Sequence, residues 1–231
     1  MEQTSHRMAL MIPYRDRVEH LQIFLEVFPS AIQIAKIPVD YEIFVIEQAN
    51  DKLFNRGKLL NAGFDVLKDS FDYFCFHDVD MLPIKVDYSY TNRPTHLALN
   101  VSQFNTWRTR TPLGLPYETY LGGVCLFNKD DFIKLNGFSN GYWGWGAEDD
   151  DMFFRISKSD LGLIRRNGLF ESIHHQAHRL NSEVYKTNLD RLKRISLGEE
   201  VDLSGLFDLT YKVVAEKHFK NPNYTMYSID I

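Results

Sequence analysis

Three clusters in the chain carry side chains whose type and spacing suit chemistry. Asp78-Val79-Asp80 sets two carboxylates two residues apart, just behind the apolar run Phe74-Cys75-Phe76. Carboxylate oxygens suit hard divalent cations, and Mg2+ or Mn2+ can bridge them to a diphosphate. Aspartate is also common in solvated turns, the plainer reading of this pair. Glu148-Asp149-Asp150-Asp151 follows Trp143-Gly144-Trp145-Gly146. Acids at a helix start are favoured by the helix dipole, but that leaves the Trp-Gly pattern unexplained. An exposed indole beside carboxylates can hold a sugar ring, and one carboxylate can take a proton from an attacking hydroxyl. His174-His175-Gln176-Ala177-His178 is the third cluster. His175 and His178 share a face if the segment is helical or turn-like, and can ligate a metal.

Such groups work only if strands and helices bring them together. Residues 8–12 form a short apolar run that Pro13 is expected to stop, a buried strand. Residues 18–35 carry apolar positions at helical spacing, with Pro29 expected to kink or divide the helix. Residues 41–46 read as a second strand, 56–68 as a helix and 71–76 as a third strand. This alternation predicts a mostly parallel sheet with helices on its faces, an α/β fold. Ligands of such sheets bind beyond the carboxyl ends of the strands. Pro13-Tyr14-Arg15-Asp16-Arg17, Phe54-Asn55-Arg56 and Asp78-Val79-Asp80 all fall there. Arginines and helix starts at such places favour phosphate. Further on, residues 96–101 and 120–127 read as strands, 129–135 and 149–158 as helices, and 181–204 as partly helical. Residues 224–231 alternate and read as an edge strand.

Composition narrows the function classes. The 231 residues suit one domain, and a hydrophobic share of 44% suffices for a full core. An aromatic share of 14% serves packing and ring stacking alike. A net charge of −5 argues against a nucleic-acid binder, which usually shows a basic face. The two cysteines, Cys75 and Cys125, lie in apolar runs and read as buried free thiols. No stretch approaches the roughly 18 apolar residues of a membrane span, and the first residues do not read as a signal peptide. The expected location is cytoplasmic if the chain is complete, or a membrane-anchored setting if an anchor preceded it.

Five motifs in order carry a resemblance: Ile12-Pro13-Tyr14-Arg15-Asp16-Arg17, Phe54-Asn55-Arg56-Gly57-Lys58-Leu59-Leu60-Asn61, Asp78-Val79-Asp80, Tyr120-Leu121-Gly122-Gly123-Val124, and residues 142–151 with the Trp-Gly-Trp-Gly block. From about residue 8 onward the chain resembles the catalytic domain of the β-1,4-galactosyltransferases, glycosyltransferase family 7. That resemblance implies a GT-A-type fold in a single domain over 1–231. The nucleotide part would span about 8–100, and the acceptor and metal-completing part about 101–231. It implies a UDP-galactose donor, a sugar or glycoconjugate acceptor, Mn2+, and inversion at the anomeric carbon. Carried over by position, Asp149 would be the general base, and Asp80, His175 and His178 would hold the metal. Pro13, Tyr14, Arg15, Arg17, Phe54, Arg56, Asp78, Val79, Tyr120, Gly123, Trp145 and His178 would line the donor site. Tyr117, Trp145, Ala147, Glu148, Asp149, Asp150, Leu189 and Leu192 would meet the acceptor. Tyr120 falls where the family has a tyrosine that accompanies galactose rather than N-acetylgalactosamine.

Two other classes use part of the same set. A non-catalytic sugar-binding module needs the indoles and acids but no metal or strand-end arginines. A metal-dependent nucleotide-sugar hydrolase needs Asp80 and the histidines but no acceptor.

Overall fold

The computed structural model describes residues 6–102, 111–173, 183–199 and 202–231. Its centre is β1 (Arg7–Tyr14), which is buried from Met8 onward and flanked in parallel by β2 (Asp40–Gln48) and β3 (Tyr73–His77). Such burial on both faces is why β1 reads as a continuous apolar run and not an alternation. Helices α1 (Val18–Ala35) and α2 (Arg56–Leu67) make the two crossovers. Met8, Leu10, Ile12 and Tyr14 pack with Leu21, Phe24, Leu25 and Phe28 of α1. Ala9 and Met11 face the other way, onto Leu59, Leu60 and Phe64 of α2. A Cβ on Gly63 would lie 2.6 Å from Met11 Cε and 2.9 Å from Ile46 Cγ1, so a side chain there would make Met11 and Ile46 shift under α2.

Strands from later in the chain complete the sheet in the order β10-β11-β2-β1-β3-β7-β5-β8. They are β5 (Thr95–His96), β7 (Val124–Asn128), β8 (Ile164–Arg165), β10 (Lys212–Lys220) and β11 (Asn223–Asp230). β11-β2-β1-β3 is parallel throughout, and β7 joins β3 antiparallel. β4 (Met81–Lys85), β9 (Leu169–Ser172) and β6 (Asn100–Val101) form a second small sheet. Short α3 (Lys129–Lys134), then α4 (Glu148–Ser157) and α5 (Glu183–Ser196) complete the described elements. Cys75 and Cys125 are free and buried, as expected.

Several sequence expectations need correction. Pro13 lies inside β1 and does not stop it. α1 runs unbroken through Pro29. A mid-helix proline costs about 3 kcal/mol, but Phe24 and Phe28 are fully buried, and each large apolar side chain contributes about 1.5–3 kcal/mol. Burial therefore outweighs the break. The third strand begins at Tyr73, not Phe71. Residues 96–101 divide between β5 and β6, which belong to different sheets, and residues 120–123 precede β7 as loop. β11 is an inner strand, because β10 covers its outer side. β10 escaped notice because it is exposed along nearly its whole length and shows no buried alternation. Of residues 181–204, α5 is helical, while 181–182 and 200–201 lie outside the described residues.

Candidate functional site

β1 pairs with β2 on one side and β3 on the other, so the chain diverges at their carboxyl ends and opens a crevice there. β3 delivers Asp78-Val79-Asp80 into it. His77, fully buried, fixes this exit: its Nδ1 donates to Asp78 O at 3.0 Å and its Nε2 accepts from Tyr88 Oη at 2.9 Å. Burial lowers the His77 pKa to about 4, so the ring is neutral. Val79 is buried, which turns Asp78 and Asp80 away from the apolar core. The backbone of this segment is tied on both sides. Asp78 N–H donates to Gly123 O at 3.0 Å, and Asp80 O accepts from Ile173 N–H at 2.9 Å.

Arg56 opens α2 and faces the acids. Its N-cap Asn55 accepts from Lys58 N–H at 2.9 Å, which seats the first turn. Arg56 Nε donates to Asp78 Oδ1 at 2.7 Å, and its Nη1 lies 3.8 Å from Glu148 Oε1. Burial alone would lower the Arg56 pKa; Asp78 and Glu148 outweigh it and raise it. One guanidinium thus serves acids from β3's end and from α4's first turn. The acids outnumber it. Burial raises the pKa of Asp78 against the pull of Arg56. Burial, then Asp149, raises that of Glu148. Burial raises Asp149, opposed by Arg56, and burial with Asp149 raises Asp150. A pocket of crowded, half-buried carboxylates that faces one guanidinium among the described residues has a deficit of positive charge.

The Trp-Gly loop wraps onto this cluster. Gly144 N–H donates to Phe54 O at 2.7 Å, linking the loop to the start of α2. Gly144 and Gly146 have φ of +78° and +97°, and a Cβ on them would meet Val184 and Tyr185 of α5 at 2.5 and 2.9 Å. Asn188, also on α5, donates from Nδ2 to the carbonyls of Trp143, Trp145 and Gly146 at 3.1, 3.3 and 3.2 Å. Trp145 is left 44% exposed, with its ring 5.1 Å from that of Tyr185. Tyr117 donates to Asp150 Oδ2 at 3.2 Å. Gly122 closes the floor: a Cβ there would lie 2.5 Å from Asp149 Oδ2 and 3.0 Å from the Tyr120 ring.

Most of the expected residues therefore meet. Asp78, Arg56, Glu148, Asp149, Asp150, Tyr117 and Tyr120 surround one volume, with Trp145 and Ala147 on its loop wall. Pro13 and Tyr14 are buried at the end of β1. Arg15 donates to Lys52 O at 2.6 Å and lies 5.4 Å over the Phe54 ring. Arg17 sits where α1 begins, its carbonyl taken by Leu21 N–H at 2.9 Å. Gly123 adopts φ +88° beside Met81. Leu189 is exposed and Leu192 half-buried on α5. His174, His175 and His178 lie outside the described residues. Among the described residues no group of three or more His, Cys, Asp or Glu is gathered to hold a metal. Sequence reasoning missed His77, His96, Arg165, Tyr185 and Asn188 as supports. Isolated polar residues in strands or on a polar helix carry no pattern, and only tertiary contacts reveal them.

Comparison with known proteins bears on this arrangement. Residues 2–93 match the family described as the N-terminal region of glycosyl transferase group 7, and residues 102–179 that described as the N-terminal domain of galactosyltransferase. Human β-1,4-galactosyltransferase 1 is 38% identical over 99% of this chain and 56% of its own length. Chinese hamster (Cricetulus griseus) β-1,4-galactosyltransferase 4 is 37% identical over 97% of this chain and 63% of its own length. The chain thus spans just over half the length of these relatives. Drosophila β-1,4-galactosyltransferase 7, solved with manganese, UDP-Gal and xylobiose, superposes with a TM-score of 0.79 at 29% identity, covering 98% of this chain and 94% of that one. A Pyrobaculum calidifontis mannosyltransferase, 13% identical with a TM-score of 0.58 over 87% of this chain and 66% of its own, shares the fold. Both the GT-A-type α/β architecture and the sequence agree over nearly the full length, and the chain belongs to the β-1,4-galactosyltransferase family of glycosyltransferase group 7.

Proposed function

We propose that this chain is an inverting galactosyltransferase, moving galactose from UDP-galactose onto a sugar hydroxyl in β-1,4 linkage with Mn2+ as cofactor. The observation that carries the reading is the single volume shared by Arg56, Asp78, Glu148, Asp149 and Tyr120 at the strand ends. Its deficit of positive charge fits a divalent cation, and carboxylate oxygen suits Mn2+. Asp80, with His175 and His178, would hold that ion. When bound it would supply Lewis-acid neutralisation of the leaving diphosphate.

The protein's own groups do the rest. Arg15, Arg17 and Arg56 bind the nucleotide side, with Tyr14, Phe54 and Val79 as walls. Asp149 accepts the proton of the acceptor hydroxyl as its oxygen bonds to the anomeric carbon from the face opposite UDP. The bond from that carbon to the diphosphate breaks, and UDP leaves with the electron pair. Trp145 offers a ring to stack on the acceptor, and Tyr117 and Asp150 hydrogen-bond to it. Holding both sugars in line supplies the orientation that a bimolecular reaction lacks.

The test is a product assay with UDP-galactose and Mn2+, with and without a panel of acceptors including N-acetylglucosamine, xylose and glucose. Galactosylated product only with acceptor is the expected outcome. Equal galactose release without acceptor would make the protein a hydrolase, and binding with no turnover a sugar-binding module.

A further inference from the structure

Residues 117–123 carry Tyr117 against Asp150, and Tyr120 and Gly122 against Asp149, yet they form no strand or helix. Something else must fix them, since shifts of about 1 Å at a reacting centre are costly. The carbonyls of this loop converge on one side chain. Arg165, in β8, donates from Nη2 to Glu118 O at 2.8 Å and from Nη1 to Tyr120 O at 2.8 Å. Nη1 also donates to His96 Nδ1 at 2.7 Å. Because that nitrogen accepts, the ring proton of neutral His96 sits on Nε2. Nε2 then donates to Gly122 O at 3.0 Å. The buried His96 ring also meets the Tyr120 ring edge-on, with centroids 5.7 Å apart. Burial, assisted by Arg165, lowers the His96 pKa to about 3 and keeps the ring neutral.

We propose that Arg165 and His96 are positioning residues that set donor-sugar discrimination, by holding Tyr120 and Gly122 at fixed height against Asp149. The proposal rests on the galactosyl-transfer reading. Arginine is required because its planar fork reaches both carbonyls and the imidazole at once; lysine is a point donor on a flexible stem. Loss of Arg165 leaves His96 Nδ1 without that donor and releases the Glu118 and Tyr120 carbonyls, so Tyr120 loosens against Asp149 while Nε2 still donates to Gly122 O.

The experiment compares wild type with Arg165→Lys, Arg165→Ala and Arg166→Ala. Arg166 is the control: it holds a different loop, donating to Ser89 O at 2.7 Å and Tyr90 O at 3.1 Å. Nitrogen NMR of labelled histidine, without substrates, reads the His96 tautomer. The second readout is the ratio of kcat/KM for UDP-galactose over UDP-N-acetylgalactosamine. The wild type should show a single Nε2–H tautomer. Arg165→Lys should keep that tautomer but move the Nδ1 resonance downfield as its donor is lost, with the donor ratio falling by about tenfold, the scale of one charge-assisted hydrogen bond. Arg166→Ala should lower Tm and move neither readout. Should Arg165→Ala fail to fold, Arg165→Lys keeps the charge and decides the matter. An Arg165→Lys protein with wild-type Nδ1 resonance and ratio overturns the proposal, as does an Arg166→Ala protein whose ratio moves equally. If the wild type uses neither donor, the galactosyl-transfer reading fails, while the Nδ1 resonance still decides whether the clamp exists.

Discussion

At the residue scale the site is defined by more carboxylates than the Arg56 guanidinium can serve. Asp149 works as a base only when ionised, and burial raises its pKa against the pull of Arg56. The acid limb of the kcat/KM profile should therefore sit above the ordinary aspartate range, with activity lost as pH falls through it. Arg56→Gln should move that limb higher still, measured alongside the weaker donor binding expected of this variant. Asp149→Asn should bind donor normally yet lose turnover by a factor on the order of 100 to 10,000; near-normal kcat would assign the proton to another group. Glu148 predicts the reverse trade in stability. Its pKa is raised by burial and by Asp149, so the native state binds more protons than the unfolded one. Stability from this group is then present at low pH and lost as pH rises through its native pKa. Glu148→Gln should stabilise the metal-free protein at neutral pH by about 1 kcal/mol, roughly one pKa unit. That gain should shrink as the medium is acidified, a comparison that thermal melts at two pH values make directly.

Elements decide whether those residues meet. The acids, the indoles and the strand-end arginines were legible in the sequence because each forms a dense local pattern behind a recognisable strand or loop. Their supports were not. Asn188 looks like an ordinary polar helix residue, yet it is buried and bridges three loop carbonyls. Asn188→Asp keeps the shape but turns a donor into an acceptor facing acceptors. Acceptor KM should rise at least about tenfold, with helical circular dichroism unchanged. Gly146→Ala should act alike, since a Cβ meets Tyr185 at 2.9 Å and the residue sits at φ +97°. Pro29 makes the opposite case. Helical spacing foretold α1 correctly, but local propensity overstated the break, because Phe24 and Phe28 before Pro29 and Ala31 and Ile32 after it pack into the core. Pro29→Ala should raise stability by about 1 kcal/mol or more and leave kcat/KM unchanged, which a melt and one assay check.

At the scale of the whole molecule, the parallel order of β1, β2 and β3 was readable from the alternation of strands and helices, whereas the outer half of the sheet was not. The partners of β2 and β7 lie far away in sequence, and period alone cannot say which distant strand pairs with which. β11 is the clearest instance: Thr225 to Ile229 lie beside Phe44 to Gln48. The side chain of Asn50 donates to Asp230 Oδ1 at 2.7 Å and to Ile231 O at 2.9 Å, and Lys52 Nζ reaches Ile231 O at 2.8 Å. The same Lys52 carbonyl receives Arg15. This has a bearing on how the molecule comes into being. A ribosome supplies β2 and the Arg15 loop early, and β11, which braces them, emerges 180 residues later. Until residues 223–231 have cleared the exit tunnel, β2 keeps an open edge, and pairing at such a separation is slow even when it becomes possible. A nascent chain stalled with that segment still inside should be digested readily by protease. The same chain carrying a long enough unstructured extension to release the segment should resist, so that protection arrives in one step once β11 has emerged.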